Sequence, residues 1–451
     1  MSTVILSAAS PEHPPLQALS DLLADELRRA GEAGIHTFEL ATTRLAYCQG
    51  EFDCWVKSPG VCRAHDAEEA IVQAIHDADR VVMLDAITFG GYSYTVKRAL
   101  DRLICLLSPF FEKRASLTHH DARYEHTARF VTLGWMPAAD EDVRLTWQAL
   151  ADANSLNLLA PSVGVAVLPD DSRETWSAEV RRALASTAEP GTAIAGREPL
   201  RAALLAAAAG AADTPRLAAP QTAALVVGSA KARGTSVSES LAHALRTRLD
   251  CAGIMVDTHF ATDFLRDDGA AETARRIAAA DLVVLVTPLY VDAFPALATR
   301  ALECIAMARA HAPSPGRFSA IVNCGFPEAE HTRTALRIAR HFADRAGYVW
   351  SGGLPLGGGG AINPMVPLDG QHGPAEHVKA ALDQAARSLA RGDAIPIEAI
   401  TRMSTAPIPD ALYRAMGDFG WRYQAYKNGL SQAALRSRPL DVRRSDNPGP
   451  H

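Results

Sequence analysis

Short apolar runs alternate with amphipathic helical stretches along this chain, and the whole alternation occurs twice. In the first pass the runs are Val4 to Leu6, His36 to Leu40, Val81 to Leu84, Phe130 to Leu133 and Val163 to Leu168. Helical patterns lie between them, among them Ala67 to Ala78, Tyr94 to Leu107, and a leucine stripe at Leu16, Leu19, Leu23 and Leu27. The second pass has runs at Leu225 to Val227, Ile254 to Phe260, Leu282 to Val286, Ala320 to Asn323 and Tyr348 to Leu354. Its first helix carries Val237, Leu241, Leu245 and Leu249. Continuous apolar strands with helices between them imply parallel sheets covered on both faces. The spacing predicts an α/β chain with two tandem, doubly wound, five-stranded parallel sheets. The expected division is 1–190, an Ala/Pro-rich linker at 191–221, a second domain at 222–400, and a tail at 401–451 holding Tyr413, Trp421, Tyr423 and Tyr426. Clustered aromatics in a tail predict docking rather than disorder.

Length and composition narrow the classes. The chain has 451 residues, enough for two ordinary α/β cores, with 48% hydrophobic and 21% charged residues and a formal net charge of −6. That balance argues against a general nucleic-acid binder. No apolar run reaches membrane-spanning length, and no signal peptide is visible. The seven cysteines are odd in number and scattered, which fits a reducing compartment, so the expected location is cytoplasmic.

Ligands of such sheets sit beyond the carboxyl ends of the strands, where strand order reverses. The loop Gly228–Ser236 opens a helix and offers Ser229, Thr235, Ser236 and Ser238 as hydroxyl donors, with Lys231 and Arg233 as charges. These suit a phosphate, or equally an ordinary capped turn, since the Gly-Lys-Ser/Thr ending of a P-loop is missing. Its counterpart Ser7–Pro15 carries prolines instead. After the third strands come Pro288, Leu289, Tyr290 and Val291 in one half, and Phe89, Gly90, Gly91 and Tyr92 in the other. Both segments can lie along a flat ring or pack under the next helix. Asn323 and Gly325 follow the fourth strand of the second half. The glycine run Gly357–Gly360 implies backbone packing against a ligand or partner, or surface flexibility.

Taken together these segments resemble a family. Tyr47-Cys48-Gln49-Gly50-Glu51-Phe52-Asp53-Cys54-Trp55 with Ser58-Pro59-Gly60-Val61-Cys62 is similar to the cysteine segment of the NAD(P)H-dependent FMN reductase and iron–sulfur flavoprotein group. Thr88 to Ser93, Lys97 and Ala99 to Arg102 resemble its ring loop and following helix; Gly228-Ser229 with Gly234-Thr235-Ser236 resembles its phosphate loop, and Pro288-Leu289-Tyr290 its second ring loop. The resemblance implies a flavodoxin-like fold in two copies that form a pseudo-dimer, FMN as cofactor, and NADPH or NADH as donor. It further implies FMN held mainly by the second copy, with Phe89, Gly90, Gly91 and Tyr92 as a pocket wall. Departures are Asp85-Ala86 where the family has a proline, and Glu51 at the second cysteine position, which leaves Cys48, Cys54 and Cys62 and no expected metal.

The implied activity is two-electron reduction of a small acceptor, such as a quinone, nitro or azo compound or free flavin, with the cofactor carrying the chemistry. A flavin-bearing electron carrier or redox sensor that docks a protein partner is the alternative, and a scaffold with both sites dead is a third. The expected partners are a small-molecule acceptor, no nucleic acid and no membrane, with a further homodimer left open.

Overall fold

The computed structural model describes residues 1–192, 196–211, 217–310 and 315–446. The chain divides into two units, Met1–Ala193 with Arg414–His451, and Ile194–Tyr413. In the first unit the strands are β1 (Ser2–Ser7), β2 (Gly34–Glu39), β3 (Arg80–Ala86), β4 (Leu107–Arg114), β5 (Leu117–Ala122), β6 (Arg129–Met136) and β7 (Val163–Pro169). In the second they are β8 (Thr222–Val227), β9 (Met255–Phe260), β10 (Leu282–Pro288), β11 (Gly316–Asn323) and β12 (Tyr348–Leu356). Each unit forms a five-stranded parallel sheet, in the orders β2-β1-β3-β6-β7 and β12-β11-β10-β8-β9. Both orders are the flavodoxin-like 2-1-3-4-5, with the switch point beside the first strand.

The duplication extends to individual hydrogen bonds. Asp79 accepts from the Ser2 amide at 2.8 Å, and Asp281 accepts from the Thr222 amide at 2.9 Å, so one acid ties the start of the first strand to the third in each unit. The Ala8 amide donates to Leu84 O (2.9 Å) as the Gly228 amide donates to Val286 O (2.8 Å). Ile87 N donates to Trp135 O and Leu289 N to Asn323 O, both at 2.8 Å. After the third strand, Thr88 bridges Gly91 and Tyr290 bridges Ala293. The residues enclosed, Phe89 and Gly90 (φ 53° and 81°) or Val291 and Asp292 (φ 47° and 58°), are all left-handed. Two left-handed central residues are what a tight turn of this type demands.

Several expected elements differ. The helix expected over Tyr94 to Leu107 ends at Leu100, a 3₁₀ turn follows over Leu103–Leu106, and β4 and β5 then form an antiparallel hairpin. Its turn residues Ala115 and Ser116 have φ of 46° and 69° without glycine or asparagine, so the sequence carried no hairpin signal. The segment 191–221 contains a helix, Arg197–Ala208, whose Leu200, Leu204, Ala207 and Ala208 are buried. Trp350 donates from Nε1 to Ala209 O at 2.8 Å, just past that helix, so the helix is part of the second unit's body. The aromatic tail packs within the first unit from Arg414 onward. Trp421 sets its ring edge-on to Trp55 and Phe52, at 5.2 and 5.3 Å. Asn428 Nδ2 donates to Val56 O at 2.9 Å, and Arg123 donates to the carbonyls of Leu435 and Ser437. The glycine run also packs on the protein itself: a Cβ at Gly357 would lie 2.3 Å from Pro327 O.

At Gly164 in β7 a Cβ would sit 2.1 Å from the Ala183 carbonyl oxygen and 3.2 Å from a Val131 methyl. Gly164→Ala therefore forces the helix Arg173–Ala185 off the sheet edge and is expected to cost about 2 kcal/mol. Urea unfolding followed by tryptophan fluorescence reads this as a lower midpoint at unchanged slope.

Candidate functional site

The two turns after β1 and β8 have the same origin in the fold and opposite capacities. In the second unit the helix Val237–Cys251 starts at the N-cap Ser236, whose side chain accepts from the Glu239 amide at 3.1 Å. Ser229 is buried and its Oγ accepts from the Lys231 amide at 3.3 Å. Thr235 is exposed and donates from Oγ1 to Ala232 O at 2.6 Å. Gly228 is obligatory, since a Cβ there would meet Thr287 Oγ1 at 2.5 Å. The loop therefore crosses directly over the end of β10 and ends on a helix start with hydroxyls beside it, the arrangement that favours an anion.

Two features oppose an anion there. Glu239, in the first turn of that helix, accepts from the Gly234 amide at 2.6 Å and brings a carboxylate to the loop. Arg233 turns outward, paired with Asp263 Oδ1 at 3.0 Å and lying over the Phe260 ring. Ser229 and Ser236 thus hydrogen-bond within the loop and its helix start, while Arg233, one of two residues expected to add charge for a ligand, is paired with Asp263 instead. Lys231 is half-buried.

In the first unit the turn Ala8–His13 is shorter, and Pro14 and Pro15 occupy the first two helical positions. Neither has an amide hydrogen, so two donors that a helix start normally offers are missing. Glu12 is exposed nearby, and the His13 ring packs edge-on to Trp135 at 4.7 Å, joining the loop after β1 to the end of β6. Asp85, which the family resemblance made unexpected, is buried and fully used: its carboxylate accepts from Ser93 N (2.7 Å), Ser93 Oγ (2.8 Å) and Ala86 N (2.9 Å), fixing the turn after β3.

The ring loops differ in the same way. Pro288, Leu289, Tyr290 and Val291 are half-buried at the strand end, beside Asn323, whose Oδ1 accepts from Ser238 Oγ at 2.8 Å. Gly325 is exposed, but its carbonyl accepts from the Tyr413 hydroxyl. In the first unit Phe89 is half-buried, whereas Gly90, Gly91 and Tyr92 are buried. Tyr92 packs against Trp147 at 4.8 Å inside the unit, so its ring is core rather than pocket wall. Lys97, Asp101 and Arg102, which a solvated face would have exposed, are buried as well, with Lys97 paired to Asp101 and Arg102 to Asp66.

Nothing in the residue pattern connects His331 with the ring loop. It is buried with Nδ1 3.6 Å from Asp292 Oδ1 and Nε2 3.8 Å from Glu328 Oε2, and its ring packs on Phe326 at 4.9 Å. An imidazole between two carboxylates links the ring loop to the segment after β11. An acid at the turn tip was visible in the sequence, but its partner lies far along the chain. Among the described residues no group of three or more His, Cys, Asp or Glu is arranged to hold a metal ion, and no helix is long and apolar enough to cross a membrane.

With this geometry in place, the comparisons give a class. A family model for NADPH-dependent FMN reductase matches residues 1–124. The resemblance read from the sequence therefore holds over that stretch, and it supports an FMN-dependent NAD(P)H reductase, with FMN as cofactor and a nicotinamide nucleotide as donor. The matched stretch lies in the unit whose first helix opens on prolines. Similar solved structures include an NAD(P)H:quinone oxidoreductase from Methanothermobacter marburgensis, at 16% identity over 41% of this chain and 94% of that chain, with a TM-score of 0.32. An azoreductase from Bacillus anthracis str. Sterne is similar at 13% identity over 38% of this chain and 99% of that chain, with a TM-score of 0.29. At these identities and scores they carry no functional inference. Among proteins of curated function, none matches the sequence.

Two substitutions test the loop. Glu239→Gln removes the competing charge and is expected to tighten FMN by roughly fivefold, about 1 kcal/mol, in a fluorescence titration. Ser236→Asp keeps a good N-cap but sets a carboxylate at the helix start. It is expected to leave the unfolding midpoint within about 0.5 kcal/mol of the parent while weakening FMN at least about a hundredfold.

Proposed function

We propose that the chain reduces a small organic acceptor, such as a quinone, nitro or azo compound or free flavin, at the expense of NAD(P)H, and that FMN is held in the second unit. The observation that carries this reading is the contrast between the helix starts: hydroxyl-bearing at Ser236, and without amide hydrogens at Pro14 and Pro15. When bound, FMN supplies the two-electron chemistry between donor and acceptor.

The residues of the chain have narrower tasks. Ser229, Ser236 and the amides around them receive the phosphate, with Lys231 in the same loop. Pro288, Leu289, Tyr290 and Val291 give the flat ring an apolar shelf that excludes water from one side. Asn323, oriented by Ser238, presents an amide at the strand end. His331 fixes the position of Asp292, and so of the shelf, by standing between that carboxylate and Glu328. In the first unit, the filled turn at His13 and Trp135 leaves a framework without a second phosphate cradle.

Isothermal titration of FMN-free protein should find one FMN per chain. Anaerobic addition of NADH and NADPH in turn should then bleach the bound flavin, with turnover on adding a quinone. Two equivalent FMN sites would overturn the placement, and a bound flavin that neither nucleotide bleaches would overturn the activity.

A further inference from the structure

Arg123 is a buried charge in the first unit, 3% exposed, and carbonyl oxygens are its only acceptors. Its Nε donates to Leu107 O at 3.1 Å, and its Nη1 to Leu435 O at 3.2 Å and Ser437 O at 2.8 Å. Among the described residues Nη2 has no hydrogen-bond partner, and no carboxylate lies within 4.0 Å of the guanidinium nitrogens. Tyr124 is 4% exposed, and its hydroxyl has no acceptor either. A cation taken out of water without a counter-charge is costly, and burial accordingly lowers Arg123 from the ordinary guanidinium value.

Both residues line one cavity of about 30 Å³. It lies against the helix Glu68–Asp77 and is also lined by Val81 and Phe130, near the amino ends of β3 and β6. That is the opposite end of the sheet from the crevice where ligands of this fold sit. The three other polar side chains of the lining are already engaged. His76 hydrogen-bonds Asp77 at 2.9 Å and Asp441 at 3.0 Å, His126 the Ala78 carbonyl at 2.8 Å, and Thr127 the Leu159 carbonyl at 2.9 Å. The unclaimed side-chain groups are thus two donors, one of them cationic, and the remaining side chains are apolar.

We propose that this cavity binds one small monovalent anion of halide size, held by Arg123 Nη2 and the Tyr124 hydroxyl. Charge and volume select the class. One guanidinium neutralises one negative charge, and the space holds roughly two waters or a single ion of comparable size, not a nucleotide. Ile75, Leu106 and Phe130 in the lining favour an ion that gives up its water readily, so chloride and bromide bind ahead of fluoride. Two bridging waters are the competing occupant; they satisfy the donors but leave the charge uncompensated. The same guanidinium holds the carbonyls of Leu435 and Ser437, so the anion also steadies the tail. Nothing in this site depends on where FMN binds.

The test is thermal unfolding of the full chain at fixed ionic strength, with sodium gluconate exchanged for sodium chloride. The midpoint should rise by roughly 4 °C for each tenfold of chloride beyond its dissociation constant. Bromide should act as strongly and fluoride less. Crystals grown in sodium bromide should show an anomalous peak in contact with Arg123 Nη2 and the Tyr124 hydroxyl. Tyr124→Phe, which keeps the ring edge-on to His76, should weaken chloride about tenfold. Arg123→Gln should abolish the response; because it also frees the tail carbonyls, Tyr124→Phe is the decisive variant. Arg144→Gln, which removes a cation paired with Glu141 at the surface, should respond as the parent does. A midpoint unchanged by the exchange of gluconate for chloride would overturn the site, as would waters alone in the bromide crystals. A bromide peak without any midpoint shift, or a parental chloride response in Tyr124→Phe, would overturn it equally.

Discussion

An anion at the start of a helix is held by amide hydrogens that no carbonyl has claimed, and each proline in the first turn removes one of them. The contrast between the two units follows from that count. In the first, Pro14 and Pro15 delete donors and the crevice closes on a His13–Trp135 contact. In the second, the helix starts on a serine cap with Ser229 buried beside it, although Glu239 has entered the same loop. Both units keep the sheet order, the acid that ties the strand starts, and the turn after the third strand. The framework is thus present twice, while a helix start with a hydroxyl cap and its amide hydrogens is present in one unit.

The turns after the third strands show how strongly the framework constrains the chain. Phe89-Gly90 answers the demand for left-handed backbone with one glycine, whereas Val291-Asp292 answers it with none. A β-branched residue at positive φ costs on the order of 1–2 kcal/mol. Asp292 is also the carboxylate that faces His331. Strain and a buried carboxylate–imidazole contact therefore meet at one turn tip beside the proposed ring shelf, where such costs commonly accompany function.

Much of the fold could be read from the chain because buried parallel strands are continuous apolar runs, and the expected strand positions fall on the observed ones. The hairpin β4–β5 was hidden for a local reason: Ala115-Ser116 replaces the usual Asn-Gly, and the preceding apolar run continues the helical periodicity. Over 191–221 composition suited a linker at the flanks and a helix in the Ala-rich piece between them, and the alanines of Arg197–Ala208 do bury a helix face. In the candidate site the hydroxyls of the Gly228–Ser236 loop were legible as a capped helix start. The direction taken by Arg233, the carboxylate of Glu239 over Gly234, the burial of Tyr92 and the Asp292–His331–Glu328 group were not, since each depends on a partner chosen by tertiary packing.

The tail has a consequence for how the molecule is made. Residues from Arg414 onward supply Ala425 and Leu435 to a small apolar cluster with Phe110, and they brace the cysteine segment through Asn428 and Ser437. During synthesis the N-terminal domain ordinarily folds first. Here that unit emerges from the ribosome with Phe110 of its hairpin and the turn around Val56 and Pro59 still unpartnered by the tail, and it must wait for the entire second unit to be translated before its last wall arrives.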